Sequence, residues 1–150
     1  MTKLVKDLMI NKFVKVYGYE MISAVANKVA GNRETLLACV VDEKEKLLGI
    51  ITPRELLKIV KVCEYGRVSL SRPSFLGGEA LHLLTSKYAK DIMSAPVSVK
   101  PDDKVEKAVR IMLDEGLYEV PVVDDAGKLI GEIDFSDIVS TAVWKCDMGT

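Results

Sequence analysis

Apolar positions along the chain follow two alternating rhythms, and the same order of rhythms occurs twice. Phe13-Val14-Lys15-Val16 alternates as a short strand. Met21, Ile22, Val25 and Val29 then recur at helical spacing, which predicts a core-facing helix over 19–30, stopped by Gly31-Asn32. Residues 36–41 and 47–51 are apolar runs flanking a polar turn and predict a hairpin. Thr52-Pro53-Arg54-Glu55 opens a helix to about residue 62, with a hydroxyl at the N-cap, proline at the first helical position and an acid at the third. Residues 63–78 have loop composition, and 79–88 predict a helix carrying the only histidine, His82. The order then resumes with a turn over 89–94, a strand over 97–99 and a helix over 103–114. That helix starts at Pro101-Asp102-Asp103 and is followed by Gly116. A hairpin over 118–133 turns at Asp124-Asp125-Ala126-Gly127, and a last helix over 135–145 is opened by Asp134.

The two halves align residue by residue. Val40-Val41-Asp42 matches Val122-Val123-Asp124, Gly49 matches Gly131, and Thr52-Pro53-Arg54-Glu55 matches Asp134-Phe135-Ser136-Asp137, at an offset of about 82. Upstream, Val5-Lys6-Asp7-Leu8-Met9 matches Ala89-Lys90-Asp91-Ile92-Met93 at an offset near 84. The chain is a tandem repeat of β-α-β-β-α units, an α/β chain of the α+β kind. It divides as repeat 1 over 1–62, a linker with a helix over 63–88, and repeat 2 over 89–150. Five such elements cannot close a core alone, so the repeats are expected to face each other sheet to sheet.

Charge and cysteine content narrow the function classes. A formal net charge of −1 with no long Lys/Arg block argues against nucleic-acid binding. Three cysteines, Cys39, Cys63 and Cys146, have no CxxC spacing and leave an odd count, which points to reduced thiols and a cytoplasmic setting. No apolar run has membrane-spanning length, so no membrane insertion is expected. One histidine, no glycine-rich phosphate loop and no metal-ligand spacing count against an enzyme and against a resident metal. Met9, Met93 and Met112 read as core or cleft filler, and Trp144 as an interface anchor or core cap.

The (A/V)KD(L/I)M opening, the VVD turn and the closing glycine followed by (T/D)-x-x-(E/D)-(L/I), repeated in order, resemble the cystathionine-β-synthase (CBS) domain, here as a tandem pair or Bateman module. The likeness covers about 4–62 and 88–145. The second repeat matches more closely, with VPVVDDAGKLIGEID intact. In the first, Tyr17-Gly18-Tyr19 replaces the usual Pro-Asp turn, and Cys39 stands where Pro121 stands in the second. The resemblance implies a regulatory module whose repeats pair about a pseudo-two-fold axis, with two clefts between them. It implies an adenosine-containing ligand (AMP, ADP, ATP or S-adenosylmethionine), homodimerisation, and a regulated enzyme or transporter as partner. No cofactor is required, though Mg²⁺ could accompany a nucleotide.

Carried over to this sequence, the ribose acids are Glu55 and Asp137. Thr52 and Arg54 face phosphate in the first site, and Ser136 and Asp134 stand at the matching places in the second. Leu36 and Tyr118 are positioned to touch the base, with Phe13, Val14, Pro96 and Val97 lining the clefts from the partner repeat. Physical chemistry makes the sites unequal. Thr52 and Arg54 offer a hydroxyl and a cation at a helix N-terminus. Asp134 and Asp137 set two carboxylates in one turn, each costing phosphate about 1 kcal/mol at 4 Å in water. A phosphorylated ligand is therefore expected at Thr52, leaving the Asp134 site empty, for an uncharged or cationic adenosyl group, or dependent on Mg²⁺. The same residues also serve as helix caps. A ligand-free structural or dimerisation module is accordingly the alternative, separable by calorimetry with AMP, ATP and S-adenosylmethionine.

Overall fold

The computed structural model describes residues 3–32, 34–65 and 78–148. Repeat 1 runs α1 (Val5–Leu8), β1 (Val14–Tyr17), α2 (Ile22–Gly31), β2 (Ala38–Val41), β3 (Leu47–Ile51) and α3 (Pro53–Val60), with a π-helical turn at Lys61–Tyr65. After α4 (Gly78–Thr85), repeat 2 runs α5 (Ala89–Ile92), α6 (Val105–Glu115), β4 (Glu119–Val123), β5 (Leu129–Asp134) and α7 (Phe135–Met148). The first sheet has the order β1-β2-β3, with β1 parallel and β3 antiparallel to β2; the second is the β4-β5 hairpin.

The expected strand at 97–99 is reduced to one parallel bridge, Val99 to Val122. Val99 N–H donates to Pro121 O at 3.0 Å, and Val123 N–H donates to Val99 O at 2.9 Å. The next rung of a parallel ladder would need an N–H from residue 121, and proline has none. Cys39, at the equivalent place in β2, keeps its N–H, and β1 pairs over four residues. Three boundaries also move. Asp103 accepts the Lys100 N–H at 2.8 Å and closes the preceding turn, so α6 starts at Val105. Asn32 ends α2 in an extended conformation, not the left-handed cap expected there. Residues 63–65, expected as loop, continue α3 as the π turn. The rest of that segment through residue 77, and the side chains of Trp144 and Cys146, lie outside the described residues.

The leading helices are exchanged between the repeats. Val5 of α1 is fully buried with Val99, Ala108, Val120, Val122 and Ile133 of repeat 2. Ala89 and Ile92 of α5 are buried with Val14, Val16, Val25, Val40 and Ile51 of repeat 1. Backbone bonds enforce the exchange. Ile10 and Glu132 trade N–H···O bonds at 2.8 and 2.9 Å, as do Ile50 and Ser94 at 3.1 and 2.8 Å. A third apolar cluster (Leu37, Cys39, Val41, Ile50, Leu117, Leu129) fills the middle of the seam between the sheets. Burial on both faces explains why β2 and β4 read as continuous apolar runs rather than alternating ones.

The hairpin turns dock symmetrically. Leu47 N–H donates to Gly127 O at 3.1 Å, and Leu129 N–H to Glu45 O at 3.0 Å. Both turns are built by an aspartate, Asp42 or Asp124, that accepts two backbone N–H groups. Both need one left-handed residue: Gly127 at φ 86° and, unexpectedly, Glu45 at φ 66°. Glu45 is held there by Lys15 Nζ at 2.9 Å and by the Tyr17 hydroxyl at 2.9 Å. These two contacts also keep its carboxyl below the usual range.

Candidate functional site

A cavity of about 590 Å³ opens where the start of α3 meets the starts of β2 and β4. Thr52 and Arg54 line it from repeat 1 with Leu36, and Tyr118 and Glu119 line it from repeat 2. Sequence spacing placed Leu36 and Tyr118 at equivalent positions, and the pseudo-symmetry brings both to one opening. Each leaves much of its apolar surface in solvent, 48% for Leu36 and 66% for Tyr118, which suits stacking on a flat ring.

Glu55 adjoins the cavity through the helix cap. Its Oε2 accepts the Thr52 backbone N–H at 2.8 Å and the Thr52 hydroxyl, and its Oε1 accepts the Ser94 hydroxyl at 3.3 Å. The side chain thus bridges α3 to the exchanged segment that follows α5. The other expected positions lie elsewhere. Phe13 and Val97 pack against the seam cluster, Val14 is in the core of repeat 1, and Pro96 is exposed. At the twin helix start, Asp134 Oδ1 accepts the backbone N–H of Ser136 at 2.7 Å and its hydroxyl at 2.6 Å. That aspartate acts as a cap, and Asp137 lies in the first turn of α7. Among the described residues, no three His, Cys, Asp or Glu side chains converge as a metal site.

Two features of the site escaped the sequence reading. Leu57, Lys58 and Lys61 extend the cavity wall along α3; the spacing i, i+3, i+4, i+7 from Arg54 was the available signal. The second is a pair of buried acids at the seam, Glu119 and Glu132, 5% and 0% exposed. Glu119 Oε1 accepts the Leu36 N–H from the other repeat at 2.8 Å. The Oε2 atoms of both acids have no other partner among the described residues. Burial, the hydrogen bond to Glu119 and the charges of Glu119 and Asp134 together push Glu132 up to about 10. Glu132 is therefore the protonated member and donates to Glu119. Cys39 Sγ lies 4.0 Å from Glu132 Oε1, and burial followed by the two acids pushes its thiol well above the ordinary value. This cysteine is an inert core residue. An acid inside an otherwise apolar strand was the visible anomaly.

His82, expected at a helix surface, is exposed and has its Nε2 2.7 Å from Asp91 O, tying α4 to α5. Met9 and Met93 lie against the two closing glycines, Gly131 and Gly49, and Met112 is buried in the core of repeat 2. A second cavity, about 380 Å³, lies on the outer side of repeat 2 between α6 and α7, lined by Val109, Leu113, Phe135 and Val139. Among the described residues no helix is long and apolar enough to cross a membrane.

Comparison with known proteins agrees with this architecture. The family model of the CBS domain matches residues 5–62 and 89–143. An uncharacterised protein of Methanopyrus kandleri is 39% identical over 101 residues, which are 67% of this chain and 43% of that protein. The chain thus spans less than half of that relative's length. A second uncharacterised protein, from Methanocaldococcus jannaschii, is 26% identical over 93% of this chain and 91% of its own length. Among solved structures, a CBS domain-containing protein of Thermotoga maritima superposes with a TM-score of 0.74 at 29% identity, covering 95% of both chains. Two more distant structures share the fold. One is CBSX2 in complex with AMP (TM-score 0.69, 22% identity, 94% and 96% covered). The other is a CBS domain pair in complex with 5-methylthioadenosine and S-adenosyl-L-methionine (0.70, 23%, 97% and 99% covered). With two matched copies spanning most of its length and a fold shared with solved pairs, the chain belongs to the CBS domain family.

Proposed function

We propose that the chain is a regulatory module that binds a phosphorylated adenosine ligand in the cavity beside Thr52 and Arg54 and passes occupancy to a partner. The observation that carries this reading is that one cavity wall combines a helix N-terminus, a hydroxyl and a guanidinium, while exposed Leu36 and Tyr118 stand across it. Related pairs bound to AMP or to S-adenosyl-L-methionine support the ligand class. Glu55, already fixed by Thr52 and Ser94, is a pre-oriented acceptor for ribose hydroxyls. Phe13 and Val97 would act on the site only through the seam cluster they pack against, and Val14 through the core of repeat 1. The Asp134, Ser136 and Asp137 end meets phosphate with like charge, so Mg²⁺ would have to be held there jointly by a carboxylate and the ligand's own phosphates. A ligand that contacts both repeats signals only through unequal affinity for two arrangements of them.

Calorimetry with AMP tests the reading. We expect one site, and a five- to tenfold loss of affinity in Arg54→Ala, about the worth of one phosphate–cation contact. Unchanged affinity in that variant, or no heat with AMP, ATP or S-adenosylmethionine, removes the assignment.

The outer face of α6 and α7 supports a homodimer. Leu113 is 79% exposed and Val139 45% exposed beside the 380 Å³ cavity, a larger apolar display than a single exposed leucine makes. Leu113→Asp is expected to shift the protein from dimer to monomer in sedimentation, and a wild-type monomer would refute the assignment.

A further inference from the structure

We infer that the cavity takes a nucleoside polyphosphate in preference to a monophosphate, with the phosphate tail running along α3; this rests on the adenosine reading above and goes beyond it. Arg54, Lys58 and Lys61 all line the cavity, with Leu57 between them. At i, i+4 and i+7 they share one face of the helix, and at 1.5 Å per residue the row extends roughly 10 Å from the helix start. The π turn begins at Lys61, whose backbone is still helical at φ −56° and ψ −45°, so the row keeps its direction to the last cation. A single phosphate at the Thr52 end meets Arg54 and the helix N-terminus and leaves the other two cations a turn or more away. A chain of two or three phosphates reaches them.

The twin helix shows that this row is not a general property of the repeat. The positions equivalent to Thr52, Arg54, Lys58 and Lys61 are Asp134, Ser136, Ser140 and Val143. A cationic wall at one end and an acidic cap at the other would seat a polyanion in one orientation and at one end of the module. The same wall disfavours a cationic sulfonium ligand, whose charge would face three like charges.

Titrations with AMP, ADP, ATP and inorganic tripolyphosphate, in buffer free of divalent cations, test this. Affinity is expected to rise about fivefold with each added phosphate, and tripolyphosphate alone should compete with ATP. Lys61→Glu should weaken ATP by tenfold or more and AMP by a clearly smaller factor, because a single phosphate at the Thr52 end lies about two helical turns from it. Its exposed position allows this change without loss of fold, which an unaltered melting temperature would verify. Equal affinity for AMP and ATP, or equal weakening of both in Lys61→Glu, overturns the polyphosphate assignment and leaves the adenosine reading standing. Binding of tripolyphosphate with no preference for any nucleoside leaves the cationic row standing and removes the adenosine reading. Silence with all four probes removes both.

Discussion

Glu132→Gln is expected to stabilise the protein by about 2–3 kcal/mol at pH 7, although it alters a fully buried side chain. In the folded chain Glu132 keeps its proton up to about pH 10, against an ordinary value of 4.5. Between those limits the unfolded chain binds fewer protons than the folded one, so stability falls as pH rises through the window. At pH 7 the folded state therefore carries the cost of holding a proton that water would remove, roughly 1.4 kcal/mol per pH unit above 4.5 before relaxation. Glutamine keeps the shape and the donor to Glu119 without that cost. Urea unfolding between about pH 5.5 and 8.5 should show wild-type stability declining with pH and a much flatter profile for the variant. Asp91 and Asp103, held below the usual carboxylate range by backbone N–H groups, act only at lower pH and leave this window clear. Glu132→Ala should instead lose about 2–4 kcal/mol, because it opens a cavity beside the buried Glu119 and removes that acid's neighbouring carboxyl. Destabilisation by the glutamine with a pH profile like wild type would show that Glu132 is ionised in the folded chain.

Gly131→Ala is expected to be the most damaging single methyl group in the molecule. A Cβ at Gly131 would stand 2.3 Å from Ile10 O and 2.8 Å from the Met9 side chain. The carbonyl belongs to backbone that trades two hydrogen bonds with Glu132, so relief means pulling the N-terminal segment off β5. Losing both bonds and the packing of α1 on the core of repeat 2 should cost at least about 3 kcal/mol. Gly49→Ala should cost somewhat less, since its Cβ meets Ser94 O at 2.6 Å in the mirrored contact. Gly31→Ala, with nothing within 4 Å, should gain roughly 0.5–1 kcal/mol from helix propensity. Thermal melts of the three variants give the order directly. A Gly131→Ala melt near that of wild type would mean that the exchanged segment is not anchored there.

Much of the fold was legible because the signals were local. The capping box at Thr52 and Glu55, the left-handed glycine ending α6 and the aspartate-built hairpin turns depend on neighbours within four residues. Glu45 was not legible as a left-handed residue, since Lys15 and Tyr17, far away in sequence, hold it there. The shortened strand at residue 99 could have been foreseen, because Pro121 lies on the row that strand must bond. The exchange of α1 and α5 could not: it is set by backbone pairing between the repeats, including Ile10 with Glu132, Ser94 with Ile50, Val5 with Asp103 and Ala89 with Glu20. Thr52 and Arg54 carried a local phosphate signature, whereas Glu119 acquires its place only when Leu36 arrives from the other repeat.

By itself the chain's order of residues determined the repeat, the type of most elements, the family resemblance and the charge difference between the two helix starts, because each follows from spacing along the backbone. Tertiary structure decided which half each leading helix completes, which acid at the seam holds the proton, and how three cations on α3 come to line one opening. Those outcomes depend on burial and on contacts across the two repeats, such as Ile10 with Glu132 and Leu36 with Glu119, which no short window along the chain contains.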